Sequence, residues 1–514
     1  MTGPIPVVDL FAGPGGLGEG FVAHRRADGS PAFRVRLSIE MDAHAHETLE
    51  LRSFFHAFEQ NGVPDAYYEH LQGKRSRASL FAAFPEAAGI ARSRAWHAEL
   101  GKTPTDEVHR RIEAVIADQK RWVLCGGPPC QAYSIVGRSR NGGINLKDHR
   151  LYLYREYLKI LAVHQPPVFI MENVKGLLSS TVEGSAIFTQ MVEDLQAPAA
   201  SVGKKGGATY RICPLVSVTP TGNGATPREF SPNDYVIPCE EYGVPQSRHR
   251  VILLGIREDI ASDATPTLPP AQREIPVSWV LHGLPPLRSG LSREPDSKEA
   301  WQETVASFLN SDVLAHLPNG SQLAMVDAVC KAIEGMRNFR ADRGAEFVPW
   351  QVGIQYRPDW FVDERLMGAC NHASRPHMAS DLHRYLFVAC YAKVMKRSPE
   401  LGDFPKPLLP KHKNVLIEDK AKYFDDRFRV QLAHRPAMTV TCHIAKDGHY
   451  YIHPDPSQCR SFTVREAARV QTFPDNYYFC GTRTAQYRQV GNAVPPLLAE
   501  QIARVVLKVL TPAR

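Results

Sequence analysis

Several runs of this sequence put reactive groups where a stiff backbone would aim them. In "GGPPCQ" (126–131) two glycines and two prolines precede Cys130. A thiol so placed is either packed and inert or a nucleophile held at a fixed angle of approach. In "MENV" (171–174) Glu172 leaves the end of an apolar run, where a carboxylate is costly unless it is paired or put to use. "QSRHR" (246–250) sets Arg248 and Arg250 one residue apart at the start of another such run; alone, it reads equally as a solvated basic edge. "DLFAGPGG" (9–16) places Gly13, Gly15 and Gly16 between an apolar run and a helical pattern, either as a tight turn or as a loop whose backbone N–H groups meet a ligand. No G-K-[ST] follows, which excludes a P-loop. Glu40 ends the next apolar run at about the separation from the glycines at which an acid takes ribose hydroxyls.

The elements that must carry these groups follow from hydrophobic spacing. Short apolar, β-branched runs predict strands at 6–12, 34–41, 121–127, 166–172 and 249–256. Leu151, Tyr154, Leu158 and Leu161 recur at helical spacing within 148–164. Strands alternating with amphipathic helices predict an α/β fold, a parallel sheet covered on both faces, with ligands at the carboxyl ends of its strands.

The texture changes near residue 266, where a proline-rich stretch marks a boundary, and regular elements return after 435. This predicts a catalytic and cofactor-binding part at 1–265, a separate part at 266–434, and a terminal part at 435–514 that returns to complete the first. Within 375–429 cations and aromatics intermix, fitting either phosphate contacts or a solvated helical face. In "FTVREAARVQTFPD", Thr463 and Glu466 have capping-box spacing.

The chain has 514 residues with 43% apolar and 22% charged content, as expected of a soluble protein with a sizeable core. No apolar run approaches a membrane span, and the N-terminus lacks the marks of a signal peptide, so a cytoplasmic location is expected. Ten cysteines without a C-x-x-C pair read as reduced thiols rather than a disulfide framework or a metal site. The net charge of +7 favours a polyanionic partner, though weakly.

Taken together and in this order, the motifs resemble those of the DNA (cytosine-5)-methyltransferase family. "DLFAGPGG" is similar to its first motif and "GGPPCQ" to its catalytic loop, while "MENV", "QSRHR" and "GNAVPP" (491–496) complete the set. The resemblance covers residues 6–256 and 431–510. It implies a Rossmann-like S-adenosylmethionine-dependent methyltransferase domain with a smaller inserted target-recognition domain. By the same resemblance, Phe11, Gly13, Gly15 and Gly16 would line S-adenosylmethionine, Glu40 would hold its ribose, and Asn492 and Val494 would close the pocket. Cys130 would be the nucleophile, Glu172 would contact cytosine N3, Arg250 would contact O2, and Arg248 would steady the loop or a phosphate. Glu99 is the match for the family's adenine-binding acid, and Met41 stands where the family often has a larger side chain. Arg435 resembles the arginine that braces the recognition domain.

The chemistry so implied accounts for the prolines. Cytosine C5 is too poor a nucleophile to take a methyl group until a thiolate adds to C6, and a group at N3 stabilises the resulting charge. The target is inaccessible within double-stranded DNA, so the base must flip out. Residues 134–150, rich in glycine and arginine, suit a loop that closes over DNA. The resemblance implies a sequence-specific bacterial enzyme, monomeric, with a restriction-modification or orphan role and a separate endonuclease as a candidate partner. Against it stand a tRNA cytosine-5 methyltransferase, whose Cys-Phe-Thr element is missing, and a catalytically silent DNA-binding regulator, which would not need Cys130 with Glu172. Small-molecule methyltransferases do not need "PPCQ" with "MENV", and the N/D-P-P-Y/F loop of amino-methylating DNA enzymes is missing.

Overall fold

The computed structural model describes the chain except residues 1–2, 59–61, 118, 130–148, 180, 183–184, 218–229, 263–264, 314–315, 317–321, 338–341, 352, 411–426 and 512–514. The chain divides into two units, one formed by residues 1–63, 81–274 and 493–514, the other by 64–80 and 275–492.

The first unit is built on a sheet whose described strands are β1 (Ile5–Leu10), β2 (Phe33–Glu40), β3 (Ala95–His97), β4 (Val123–Gly126), β5 (Val168–Val174), β6 (Tyr210–Cys213), β7 (Val236–Pro238) and β8 (His249–Arg257). Their order is β3-β2-β1-β4-β5-β8-β6, with β7 also pairing β8. The central strands β1, β4 and β5 read as near-continuous apolar runs because both sheet faces are covered. Val7, Val123, Ile170 and Ile252 face one cluster with Leu17, Phe21, Leu498 and Ile502 from the helices Gly16–Ala23 and Pro496–Leu510. Val8, Leu124, Phe169 and Val251 face the other, with Tyr157 and Leu161 of the helix His149–His164. Neighbouring residues thus point to opposite faces, as the two-residue period of a strand requires.

The expected all-parallel sheet is corrected to a mixed one. β1 to β5 are parallel, but β8 runs antiparallel to β5, with Arg250 opposite Val174 and Ile252 opposite Glu172. The reversal matters for the site: a parallel strand would put its first residues at the far edge of the sheet. Running backwards, β8 brings Arg248 and Arg250 to the edge where β1 to β5 end.

Two glycines let the terminal helix close on the first one. A side chain at Gly16 would collide with the Val494 carbonyl, and one at Gly20 with Ala499 and the Pro496 carbonyl. The helix Gly16–Ala23 is also tied to Ala43–Phe55 through Glu19, which pairs with Arg52 and with His56 Nε2 at 2.9 Å. Burial acts to raise the Glu19 pKa, yet these two partners hold it well below the carboxylate range.

The second unit packs Trp301, Phe308, Val329, Leu382, Phe387 and Tyr391 around the helices Lys298–Ala306, Gln322–Arg337 and Ala379–Met395. Much of the basic-aromatic tract therefore lies in a core: Tyr385 and Phe387 are fully buried, and Arg397 is paired with Asp403 at 2.7 Å. Residues 411–426 of this tract lie outside the described residues. No described helix is long and apolar enough to cross a membrane.

Candidate active site

The glycine loop leaves β1 in a conformation that ordinary residues avoid. Phe11, Gly13 and Gly15 all have positive φ (53°, 56° and 93°), and for an aromatic residue this is a strained backbone. What holds it is Glu40 at the end of β2. One carboxylate oxygen accepts the Gly13 N–H at 2.7 Å and the other the Asp42 N–H at 2.8 Å. Burial raises the Glu40 pKa, and these two amides offset part of the rise. Each oxygen keeps a lone pair, so a hydroxyl can still be accepted. Asp42 caps the helix Ala43–Phe55 by accepting from His44 and Ala45, and Met41 between them is 54% exposed. Glu99 lies just beyond β3 and pairs with Lys102 at 2.9 Å. The ends of β1, β2 and β3 thus place a glycine loop, an acid, an exposed apolar side chain and a second acid along one sheet edge.

Beneath this loop sits a group that the sequence reading passed over. Asp9 is fully buried in β1 opposite Cys125, and neither of its carboxylate oxygens closes a hydrogen bond among the described residues. Burial pushes its pKa up to about 7, with Glu40 adding to the rise and the Gly18 amide countering it. The signal was present: like Glu172, Asp9 is an acid near the end of an apolar run. The Cys125 thiol is raised well above its ordinary value, by burial first and then by Asp9. It is an inert packing residue.

The next two strand ends carry the second half of the site. A Cβ on Gly126 would come 2.5 Å from the Leu10 carbonyl oxygen, and one on Gly127 would come 2.8 Å from Glu172 Oε2. The loop after β4 therefore passes directly over the Glu172 carboxylate, which explains two adjacent glycines there. Glu172 Oε1 pairs with Arg250 Nε at 3.0 Å. Both side chains are mostly buried but not sealed, at 14% and 11% exposure. Arg250 Nη1 also donates to the His249 carbonyl, and His249 Nε2 meets Glu240 at 2.8 Å. Arg248 is buried, with Nη2 donating to the Ala493 carbonyl at 2.9 Å, so it ties the start of β8 to the "GNAVPP" stretch.

Of the remaining expected residues, Val494 is buried with its carbonyl against Gly16, while Asn492 is exposed at the end of the helix Arg483–Asn492. Arg435 is exposed, and its carbonyl accepts the Val277 N–H. Cys130 and the loop 134–148 lie outside the described residues; Pro129 is the last residue described before them. The described residues contain no cluster of three His, Cys, Asp or Glu side chains that could hold a metal.

The sequence model of the C-5 cytosine-specific DNA methylase family matches residues 94–198 and 230–508. Type II methyltransferase M.Bpa9945I of Bacillus paralicheniformis is 32% identical over 98% of this chain and 99% of its own. DNA (cytosine-5-)-methyltransferase M.ApeKI of Aeropyrum pernix is 26% identical over 76% of this chain and 81% of its own. Among solved structures, a prophage-encoded E. coli protein assigned as a DNA modification methyltransferase shares the fold, with a TM-score of 0.50 at 18% identity, covering 98% of this chain and 99% of its own. The ordered motifs, the mixed sheet and these matches agree: the chain belongs to the C-5 cytosine-specific DNA methylase family and is a DNA (cytosine-5-)-methyltransferase.

Proposed function

We propose that the sheet edge binds S-adenosylmethionine at the ends of β1 to β3 and performs the chemistry on cytosine at the ends of β4 and β5. The observation that carries this reading is the Glu172–Arg250 pair directly beneath Gly127, three residues before Cys130. The residues present fit the cofactor: the loop around Gly13 is open, with nothing within 4 Å of where its Cβ would be, and the orphaned Asp9 lies below it. Phe11, Gly13 and Gly15 would line it, Glu40 would accept from its ribose, and Met41 would cover its adenine. Gly16 allows Val494 to close on the loop, and Asn492, two residues before Val494, would add to the pocket.

When bound, S-adenosylmethionine supplies an electrophilic methyl group. The chain's part is to make the cytosine ring nucleophilic and then to restore it. The Cys130 thiolate adds to C6, and Glu172 holds a proton at N3, where the ring gains electron density. Arg250 contacts O2 and fixes the Glu172 carboxylate from the side. Arg248 acts from within the protein, holding the start of β8 against the closing segment. After methylation the C5 proton leaves and the S–C6 bond breaks, freeing the thiol.

On this reading residues 266–434 select the DNA site and 1–265 with 435–514 hold the chemistry, although 64–80 and 435–492 pack within the second unit; the substrate is a flipped-out base of double-stranded DNA. The enzyme works as a cytoplasmic monomer in a restriction-modification or orphan role, with any cognate endonuclease a separate protein. Type II methyltransferases among the relatives support that role. Titrating S-adenosylmethionine into Glu40→Gln should show binding weakened about tenfold or more, as a lost hydrogen bond to a charged group predicts; equal affinity would remove Glu40 from the cofactor site. Bisulfite sequencing of a host expressing the chain should show one methylated sequence context, and scattered methylation would contradict a site-selecting unit.

A further inference from the structure

One stretch of the second unit displays large apolar side chains that the chemistry above does not use. Residues 350–367 connect the strands Gly344–Pro349 and Gly368–Ala373, which pair antiparallel. At the two ends of this stretch, Trp350 is 45% exposed and Met367 is 72% exposed. The Trp350 amide donates to the Met367 carbonyl at 3.3 Å, so both side chains leave one corner. Gln351 and Gln355 are exposed within the same stretch. Apolar side chains displayed together at one exposed corner are available to a binding partner.

The corner is anchored from beneath by residues that the sequence leaves without an assigned task. Arg469 holds Asp475 with two hydrogen bonds, at 2.8 and 2.7 Å, and donates to the Gly353 carbonyl at 3.2 Å. Trp360 Nε1 donates to the Thr472 carbonyl at 2.8 Å. Asp363 Oδ2 accepts from Asn476 at 2.7 Å and from the Tyr68 hydroxyl at 2.8 Å. Gln72 donates to the Leu366 carbonyl, and Arg365 pairs with Asp65 while lying over the Tyr68 ring. The helix Asp65–Leu71, an insertion between β2 and β3, is thus part of the second unit and grips this corner. Arg357 and Met367 both hold left-handed backbones (φ 46° and 53°). Such strain in non-glycine residues persists where surrounding contacts over-determine it, and it gathers at functional surfaces.

The chemistry of the corner points to bases rather than phosphates. Its arginines are engaged by acids, Arg357 by Asp359 at 2.9 Å and Arg365 by Asp65 at 2.6 Å. What it offers is apolar surface and amides. In the major groove a T·A pair presents a methyl group on thymine, and N6 and N7 on adenine, which glutamine reads. We propose that this corner reads a T·A pair in the target sequence, with Trp350 and Met367 on the thymine methyl and Gln351 or Gln355 on adenine. The proposal rests on the reading that the second unit selects the DNA site.

The test uses the full-length enzyme and duplexes carrying its own methylated sequence, mapped by bisulfite sequencing, with each thymine in turn replaced by uracil. Uracil lacks only the methyl group. The wild type should methylate the thymine duplex about fivefold faster or better at one position, and Trp350→Ala and Met367→Ala should each lose that preference. Gln351→Ala together with Gln355→Ala should lower discrimination at the same pair, with an unchanged slope of binding against salt. An unchanged urea-unfolding curve shows that a variant is folded, and Trp350→Phe should regain part of the preference. A wild type indifferent to uracil throughout, a target without a T·A pair, or variants that keep the preference would overturn the proposal. Replacing 266–434 by the segment of a relative separates it from the reading it rests on. A hybrid that adopts the relative's site while the corner variants keep their preference rejects the corner alone. An active hybrid that keeps the original site rejects both.

Discussion

The two units hold polar groups in opposite ways. In the first, a sheet satisfies the backbone, and polar side chains appear at strand ends with capacity to spare: Glu172 meets one arginine, and Glu40 meets two amides. In the second, irregular backbone is satisfied by buried charge. Arg465, fully buried, donates to the carbonyls of Cys370, Pro474 and Tyr477. Arg460 is held by both oxygens of Glu466, at 2.7 and 2.6 Å, and Glu466 also closes the capping box with Thr463. A regular sheet supplies its own hydrogen bonds and frees its edge for chemistry, whereas long loops need side chains to pair their carbonyls. The difference predicts that cutting a polar group at the sheet edge of the first unit costs turnover, and cutting a buried pair in the second costs stability.

The largest effect should come from Glu172→Gln. The amide keeps the shape but cannot supply a proton at N3, so turnover should fall about 10²–10⁴-fold, with S-adenosylmethionine affinity close to wild type by fluorescence titration. Turnover within a few-fold of wild type would break the comparison on its catalytic side. Glu466→Ala should leave the Arg460 guanidinium buried without its partner and destabilise the protein by about 3–5 kcal/mol in urea unfolding. Burial acts to raise the Glu466 pKa, but Arg460 and the histidines nearby hold it well below its ordinary 4.5. Its contribution is therefore present above that value and lost as pH falls below it.

Asp9 has the opposite sign. Its folded-state value of about 7 lies above the ordinary 3.8, so its contribution is full below about pH 3.8 and lost as pH rises through 7. Asp9→Asn should thus gain stability relative to wild type between pH 4 and 8, by at most about 4 kcal/mol. A difference that stays flat with pH would show that Asp9 finds a partner in solution. The smallest effect sharpens the edge of the second unit: Tyr68→Phe removes one hydrogen bond to the Asp363 carboxylate and should cost about 1.5–3 kcal/mol. No loss of stability would place the helix Asp65–Leu71 outside that unit's cooperative fold.

The same contrast decides what could be read from the residues. The strands β1, β2, β4, β5 and β8 are apolar runs long enough to recognise, and the catalytic motifs sit at their ends. The direction of β8 was not legible, because a strand covered on both faces reads the same either way. β3 has only three residues, and the edge strand β6 carries the charged Arg211 among its four, so neither reads as an apolar run. In the helix His149–His164, Leu158 and Leu161 face the core as their spacing predicts, joined by Leu153 and Tyr157. The second unit's order rests on pairs far apart in sequence, such as Tyr68 with Asp363, which no local pattern announces. Cys130 stands apart: its proposed role rests on the motif that contains it.

On the proposed mechanism the Cys130 thiolate adds to cytosine C6, and covalent trapping tests this most directly. Duplex DNA carrying 5-fluorocytosine at the methylated position, incubated with enzyme and S-adenosylmethionine, should yield a denaturation-resistant protein–DNA adduct, because fluorine at C5 cannot leave as a proton does. Cys130→Ala should bind the same DNA and give no adduct. An adduct formed by Cys130→Ala, or none formed by an active wild type, would contradict it.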